Sequence, residues 1–272
     1  MEFEEYLKNA GSHINSIQVE GGRSQNWPTS ECFLGVPPNN SYGRNSLKEF
    51  PDDLEGLHIC LGADCEDLIG AFAKSKIPSQ LKRLSIGDSS YALGKGRNYE
   101  RISKILGEIE FPNLKSFEYG VWKLFSNSHC LYGDLGDVTK LLNRMPKLER
   151  LSLYGNFELN NLLGFSNLKS LDILLDDFVT GINGGFLSQS TLNNLLNSEY
   201  PLLNDFFLGL ECDNDQYGYK FSEHFLSGDK FPNLNKLEIT GGFVSGEKER
   251  LLQSPIGTRP SNKYHLGDMS IS

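Results

Sequence analysis

The sequence predicts an α/β solenoid: a curved parallel β-sheet on the concave side and helices on the convex side. Three observations predict it. One spacing, apolar-x-x-apolar-x-apolar, occurs seven times, first as Leu54-Glu55-Gly56-Leu57-His58-Ile59 and then from Leu81, Leu114, Leu148, Leu168, Leu203 and Leu234. The starts lie 27, 33, 34, 20, 35 and 31 residues apart. Most intervals also hold a stretch with apolar residues at helical spacing. A strand and a helix at a recurring period read as a stacked array, because each unit buries its apolar face only against its neighbours.

The elements follow in order. Ile14-Asn15-Ser16-Ile17-Gln18-Val19 is a weaker copy followed by a polar, Gly/Pro/Asn-rich stretch, so residues 1–50 read as an N-terminal cap with an irregular first repeat. The leucine-rich-repeat array spans residues 51–254. Within each copy the side chains alternate, so Leu84 and Ile86 face the core while Ser85 between them faces outward. Helices are expected around Leu68-Ile69-Phe72, Ile102-Ile105-Leu106-Ile109, Val138-Leu141-Leu142-Met145, Leu192-Leu195-Leu196, Phe221-Phe225 and Leu251-Leu252. Their start signals are Asp64, Asn98, Asp137, Ser190 and Ser222. Proline in Phe111-Pro112-Asn113, Met145-Pro146-Lys147, Tyr200-Pro201-Leu202 and Phe231-Pro232-Asn233 ends what precedes it and biases its neighbour to extended geometry. The 20-residue interval is too short for a helix, so helix coverage should thin after Asn156. No copy is read after Ser254, and residues 255–272 are expected to form a loosely held tail.

Composition narrows the function classes. The 272 residues carry a net charge of −9, which disfavours generic attraction to phosphate backbones or anionic lipids and suits a basic protein partner. Cys32, Cys60, Cys65, Cys130 and Cys212 are odd in number and scattered, as expected of reduced thiols in a cytoplasm. The acidic start Met1-Glu2-Phe3-Glu4-Glu5 lacks a secretory leader, and no apolar run is long enough to span a bilayer. We expect a cytoplasmic monomer.

The stretch Tyr132-Gly133-Asp134-Leu135-Gly136-Asp137-Val138-Thr139-Lys140-Leu141-Leu142-Asn143-Arg144-Met145-Pro146-Lys147-Leu148 resembles a family of bacterial cytoplasmic leucine-rich-repeat proteins whose function is uncharacterised. The likeness continues at Leu208-Gly209-Leu210-Glu211, Asp215-Gln216-Tyr217-Gly218 and Leu226-Ser227-Gly228-Asp229-Lys230-Phe231-Pro232-Asn233-Leu234, and covers mainly residues 114–241. It implies a ribonuclease-inhibitor-like horseshoe and no catalytic residues to carry over.

The outward strand positions are His58, Ser85, Glu118, Ser152, Asp172, Phe207 and Glu238, flanked by Arg83, Arg150, Tyr154, Asp205 and Lys236. Toward the later repeats acids and aromatics gather there. The expected partner-binding residues are Glu118, Trp122, Tyr154, Phe157, Asp172, Asp176, Asp177, Phe207, Glu211, Asp213 and Glu238. Aromatics would anchor a partner and carboxylates would steer a basic one. Asp213-x-Asp215-x-Tyr217-Gly218 lacks the pattern of a calcium loop, and His58-x-Cys60 with Cys65, like His129-Cys130, completes no zinc set. Gly94-Lys95-Gly96-Arg97 lacks P-loop spacing, so no metal or cofactor is expected. The leading expectation is a non-enzymatic scaffold, most concretely an acidic immunity or inhibitor protein that neutralises a basic toxin. The alternatives are an adaptor or structural module, and a carboxylate-based enzyme.

Overall fold

The computed structural model describes residues 14–18, 31–34, 43–47, 54–61, 65–88, 98–121, 133–175, 187–210, 218–241 and 243–259. Its strands are β1 (Ile14–Gln18), β2 (Glu31–Leu34), β3 (Gly43–Leu47), β4 (Gly56–Cys60), β5 (Arg83–Asp88), β6 (Ser116–Val121), β7 (Gly133–Asp137), β8 (Arg150–Glu158), β9 (Ser170–Leu174), β10 (Asp205–Leu210) and β11 (Lys236–Gly241). The helices are α1 (Cys65–Ala73), α2 (Glu100–Leu106), α3 (Thr139–Leu142), α4 (Gln189–Asn197), α5 (Glu223–Ser227) and α6 (Glu247–Gln253).

The strand order is β11-β10-β9-β8-β6-β5-β4-β2-β1-β3, with β7 added beside β8. From β2 to β11 along this order the eight strands are parallel, an α/β arrangement in which neighbours in the sheet are mostly neighbours in the chain. The register keeps the repeats in step. Leu57, Leu84, Phe117, Leu151, Leu171, Phe206 and Leu237 form one row across the sheet. Ile59, Ile86, Tyr119, Leu153, Ile173, Leu208 and Ile239 form a second. All of these are buried, and none of the seven leucines that start the repeats is more than 3% exposed. They join Ile69, Phe72, Ile102, Leu106, Leu141, Leu192 and Leu195 of the helices in one core.

The main chain repeats as closely. At each step the carbonyl of a copy's second residue accepts two N–H groups from the next copy. Glu55 O accepts from Lys82 and Arg83, Lys82 O from Lys115 and Ser116, and Lys115 O from Glu149 and Arg150. Glu149 O accepts from Lys169 and Ser170, Lys169 O from Asn204 and Asp205, and Asn204 O from Asn235 and Lys236, all between 2.8 and 3.1 Å.

Helix starts follow local chemistry. Asn98 Oδ1 accepts the Glu100 N–H at 2.8 Å, Asp137 Oδ1 accepts that of Thr139 at 2.9 Å, and Ser222 Oγ accepts that of Phe225 at 3.2 Å. The cap of α4 is Ser188, whose Oγ accepts the Thr191 N–H, and not Ser190 two residues later. Between β8 and β9 there is no helix, as the short interval requires. Among the described residues no helix is long and apolar enough to cross a membrane.

Other parts of the fold also differ from the spacing. The Ile14 segment is a strand, but it pairs antiparallel with β2 and β3, so it is not a parallel repeat; β2 takes the place beside β4. Strand β8 runs nine residues, and its far half pairs with β7, a strand the spacing does not reveal. Residues 255–259 are packed: Ile256 is fully buried with its N–H on Leu226 O, and the Arg259 guanidinium donates to Phe231 O and, at 3.0 Å, to Gly228 O.

Candidate protein-binding face

The sheet face opposite the core is organised by the same register. His58, Ser85, Glu118, Ser152, Asp172, Phe207 and Glu238 line up as one row. Beside it run Arg83, Ser116, Arg150, Ser170, Asp205 and Lys236. Four of the expected residues, Glu118, Asp172, Phe207 and Glu238, therefore share one line and are all half-buried.

The Phe207 ring lies over Gly209, two residues along its own strand. A Cβ at Gly209 would lie 2.7 Å from Leu174 Cδ1 and 3.3 Å from Phe207 Cε1, so a side chain there would push the end of Leu174 aside. Leu174, half-buried on the same face and paired with Gly209, adds apolar surface beside Phe207, which itself stands between the backbone positions of Asp172 and Glu238. The repeat spacing does not single out Leu174.

Two expected aromatics sit elsewhere. Phe157 is buried in the core at 3% exposure. Period-two alternation explains it: with β8 nine residues long, Phe157 keeps the parity of Leu151 and Leu153 and points with them, away from any partner. Tyr154 has outward parity yet is only 1% exposed. Its hydroxyl donates to Asp172 Oδ2 at 2.8 Å. Burial pushes the phenol's pKa up, and the carboxylates of Asp172 and Glu118 add to the shift, so Tyr154 stays a protonated donor that orients Asp172. Trp122, Asp176, Asp177, Glu211 and Asp213 lie outside the described residues.

The charge of the face is mixed. Lys236 Nζ lies 3.6 Å from Glu238 Oε2, and Arg83 pairs with Glu55 at 4.0 Å. At the start of the strands Glu149 lies between Lys115 and Lys169, 2.8 Å from each ammonium. Hydrogen bonds from these two lysines hold its carboxyl down at about 2. A carboxyl lowered from 4.5 stabilises the fold above that value and loses the contribution as pH falls toward about 2. In thermal melts the advantage of the native chain over Glu149→Gln should shrink steadily across that window, and shrink with added salt at neutral pH. An advantage insensitive to both would mean that the lysines do not act on Glu149.

Other chemistry is less well served. The row places Ser85 between His58 and Glu118, whereas a hydroxyl relay needs the imidazole in the middle. Among the described residues no three His, Cys, Asp or Glu side chains converge to hold a metal ion. Next to the helix-free step a hollow of about 340 Å³ is lined by Asp137, Thr139, Lys140, Asn143, Arg144 and Asn160. Those two cations are paired with Glu108 and Glu110.

No protein-family model matches the sequence, and no curated protein matches it. A solved structure from Bacteroides fragilis, determined in a structural genomics programme, is similar at 24% identity with a TM-score of 0.50. The match covers 82% of this chain and 62% of that one, so this chain spans less than two thirds of its neighbour's length. At that identity the likeness concerns the fold alone.

Proposed function

We propose that the chain is a leucine-rich-repeat solenoid that binds a basic protein on the sheet face opposite its helices. Its most concrete form is an immunity or inhibitor protein of the bacterial cytoplasm that neutralises a cationic toxin. The observation that carries this reading is the aligned row: Phe207 stands in line between Asp172 and Glu238, with Leu174 beside it at the level of Gly209 and Glu118 further along the row. An aromatic anchor supplies binding energy when it is desolvated, and carboxylates around it steer a cationic partner and fix its orientation. The net charge of −9 acts in the same direction at long range.

The test begins with affinity capture from a lysate, mass spectrometry of what binds, and a titration of the purified partner. Phe207→Ala should cost about 2 kcal/mol of binding or more, roughly a thirtyfold loss, with the melting temperature little changed. Asp172→Lys and Glu238→Lys should slow association and flatten its salt dependence. If all three variants fold and bind as the native chain does, the partner does not use this face.

A further inference from the structure

The strand starts carry a local charge that runs against that of the chain as a whole. The second and third residues of the copies that form β5, β6, β8 and β9 are Lys82-Arg83, Lys115-Ser116, Glu149-Arg150 and Lys169-Ser170, five cations to one carboxylate in a chain of net charge −9. These four strands are neighbours in the sheet, so the cations stand side by side. Lys82, Lys115, Arg150 and Lys169 are exposed, and Arg83 is half-buried. Lys147, in the turn ahead of β8, joins them: its ammonium donates to the neutral Asn113 Oδ1 at 2.9 Å, at the entry to β6.

Two carboxylates are drawn into this strip. Glu55 pairs with Lys82 at one end, and Glu149 lies 2.8 Å from both Lys115 and Lys169. Hydrogen bonds from those two lysines bring the Glu149 carboxyl down to about 2, as a local excess of cations would. The repeat does not require the excess. On β10 and β11 the same two positions hold Asn204-Asp205 and Asn235-Lys236, whose charges cancel. Lys82 and Lys115 occupy equivalent positions on adjoining strands, where like charges destabilise each other, and an anion laid over the strip would relieve that repulsion.

We propose that this strand-start edge, from β5 to β9, docks a short acidic segment of a partner polypeptide laid across the strands. Three steps of about 4.8 Å make the strip about 14 Å long, the length of about four extended residues. A nucleic acid fits it less well. Glu118 and Asp172 stand two residues beyond Ser116 and Ser170 on β6 and β9, about 7 Å along each strand and within the screening length of about 8 Å at physiological salt. A polyphosphate that continues past the strip meets these carboxylates and the net negative charge of the chain, whereas an acidic segment can end where the cations do. The strip is separate from the row of Phe207 and Glu238 and does not depend on what binds there.

The probe is a dye-labelled tetraglutamate peptide, titrated against the full chain by fluorescence anisotropy at low salt, with tetraglutamine and a thymidine tetranucleotide as comparisons. The acidic peptide should bind about tenfold tighter than tetraglutamine or better, and added salt should weaken it. Arg150→Gln with Lys169→Gln should weaken it about fivefold or more, while Lys236→Gln, away from the strip, should leave it within about twofold. Glu149→Gln removes the carboxylate that Lys115 and Lys169 share and should tighten binding about twofold or more, a gain that a merely loosened fold would not give. Equal binding of tetraglutamine, unchanged affinity in the double variant, a comparable loss from Lys236→Gln or no gain from Glu149→Gln overturns the proposal. Tighter binding of the tetranucleotide than of the peptide assigns the strip to nucleic acid and overturns it too.

Discussion

Tyr200→Ala should lower the unfolding free energy by about 3–5 kcal/mol, the range for removing a large buried aromatic side chain. Tyr200 is fully buried, stacked on Phe165 at 5.4 Å and on Phe231 at 5.1 Å between ring centroids. Phe231 in turn stacks on Phe206 at 6.1 Å and meets Phe225 edge-on at 5.6 Å, so the rings tie three successive units together. Truncation leaves a cavity in a column that cannot collapse without moving two neighbouring turns. The hydroxyl adds a separate contribution. It donates to Leu195 O at 2.8 Å, and burial pushes its pKa up, so it remains a donor at physiological pH. Tyr200→Phe keeps the stack and loses only this bond, which should cost about 0.5–1.5 kcal/mol, because Leu195 O keeps the Ser198 N–H at 3.4 Å. Denaturant titrations of the two variants separate the contributions. A loss below about 1 kcal/mol for Tyr200→Ala would show that the column does not hold the units together.

Gly155→Val should be of similar severity for a different reason. Gly155 has φ +127°, and a Cβ there would lie 2.3 Å from Gly133 O, the backbone of its register partner in β7. A β-branched side chain adds backbone strain of about 1–3 kcal/mol to an overpacking cost of about 1–3 kcal/mol, or else expels β7 from β8. The consequences spread from β7, because Asp134 O accepts the Tyr99 N–H at 2.7 Å just before α2 and Asp137 caps the start of α3. The control is Gly164→Ala, where a Cβ meets nothing within 4 Å and stability should stay within about 0.5 kcal/mol. Equal stability for the two variants would mean that the β7–β8 pairing is not tight, and amide exchange of residues 133–137 would show it directly.

Where a copy carries its three apolar residues, spacing was enough to place strand, register and outward row, since alternation leaves little freedom once one face is buried. Elements that lack those residues were not legible. β2 has no leading leucine, and Gly133-Asp134-Leu135-Gly136-Asp137 offers a single large apolar residue, so neither reads as a strand. The cap of α4 could be Ser188 or Ser190 by residue type, and only hydrogen-bond geometry separates them. For the outward row, position was legible and burial was not. Tyr154 and Asp172 were correctly assigned to one face, but a phenol that folds over to a carboxylate on the next strand depends on side-chain packing that spacing does not encode. Phe157 was misassigned because the length of β8 depends on pairing with β7, a contact from a preceding part of the chain.

The helix-free step between β8 and β9 has a mechanical consequence. Helix α1 packs on α2, α2 on α3, and α4 on α5, while the sheet runs without interruption beneath them. Sheet stiffness is thus shared along the molecule, but among the described residues no helix covers the step from β8 to β9. Elastic deformation concentrates where a laminate loses a ply, so amide exchange on the sheet should respond to bending first at the β8–β9 joint. Flexure there would change the spacing between Ser152 and Asp172, and with it the shape of the outward row.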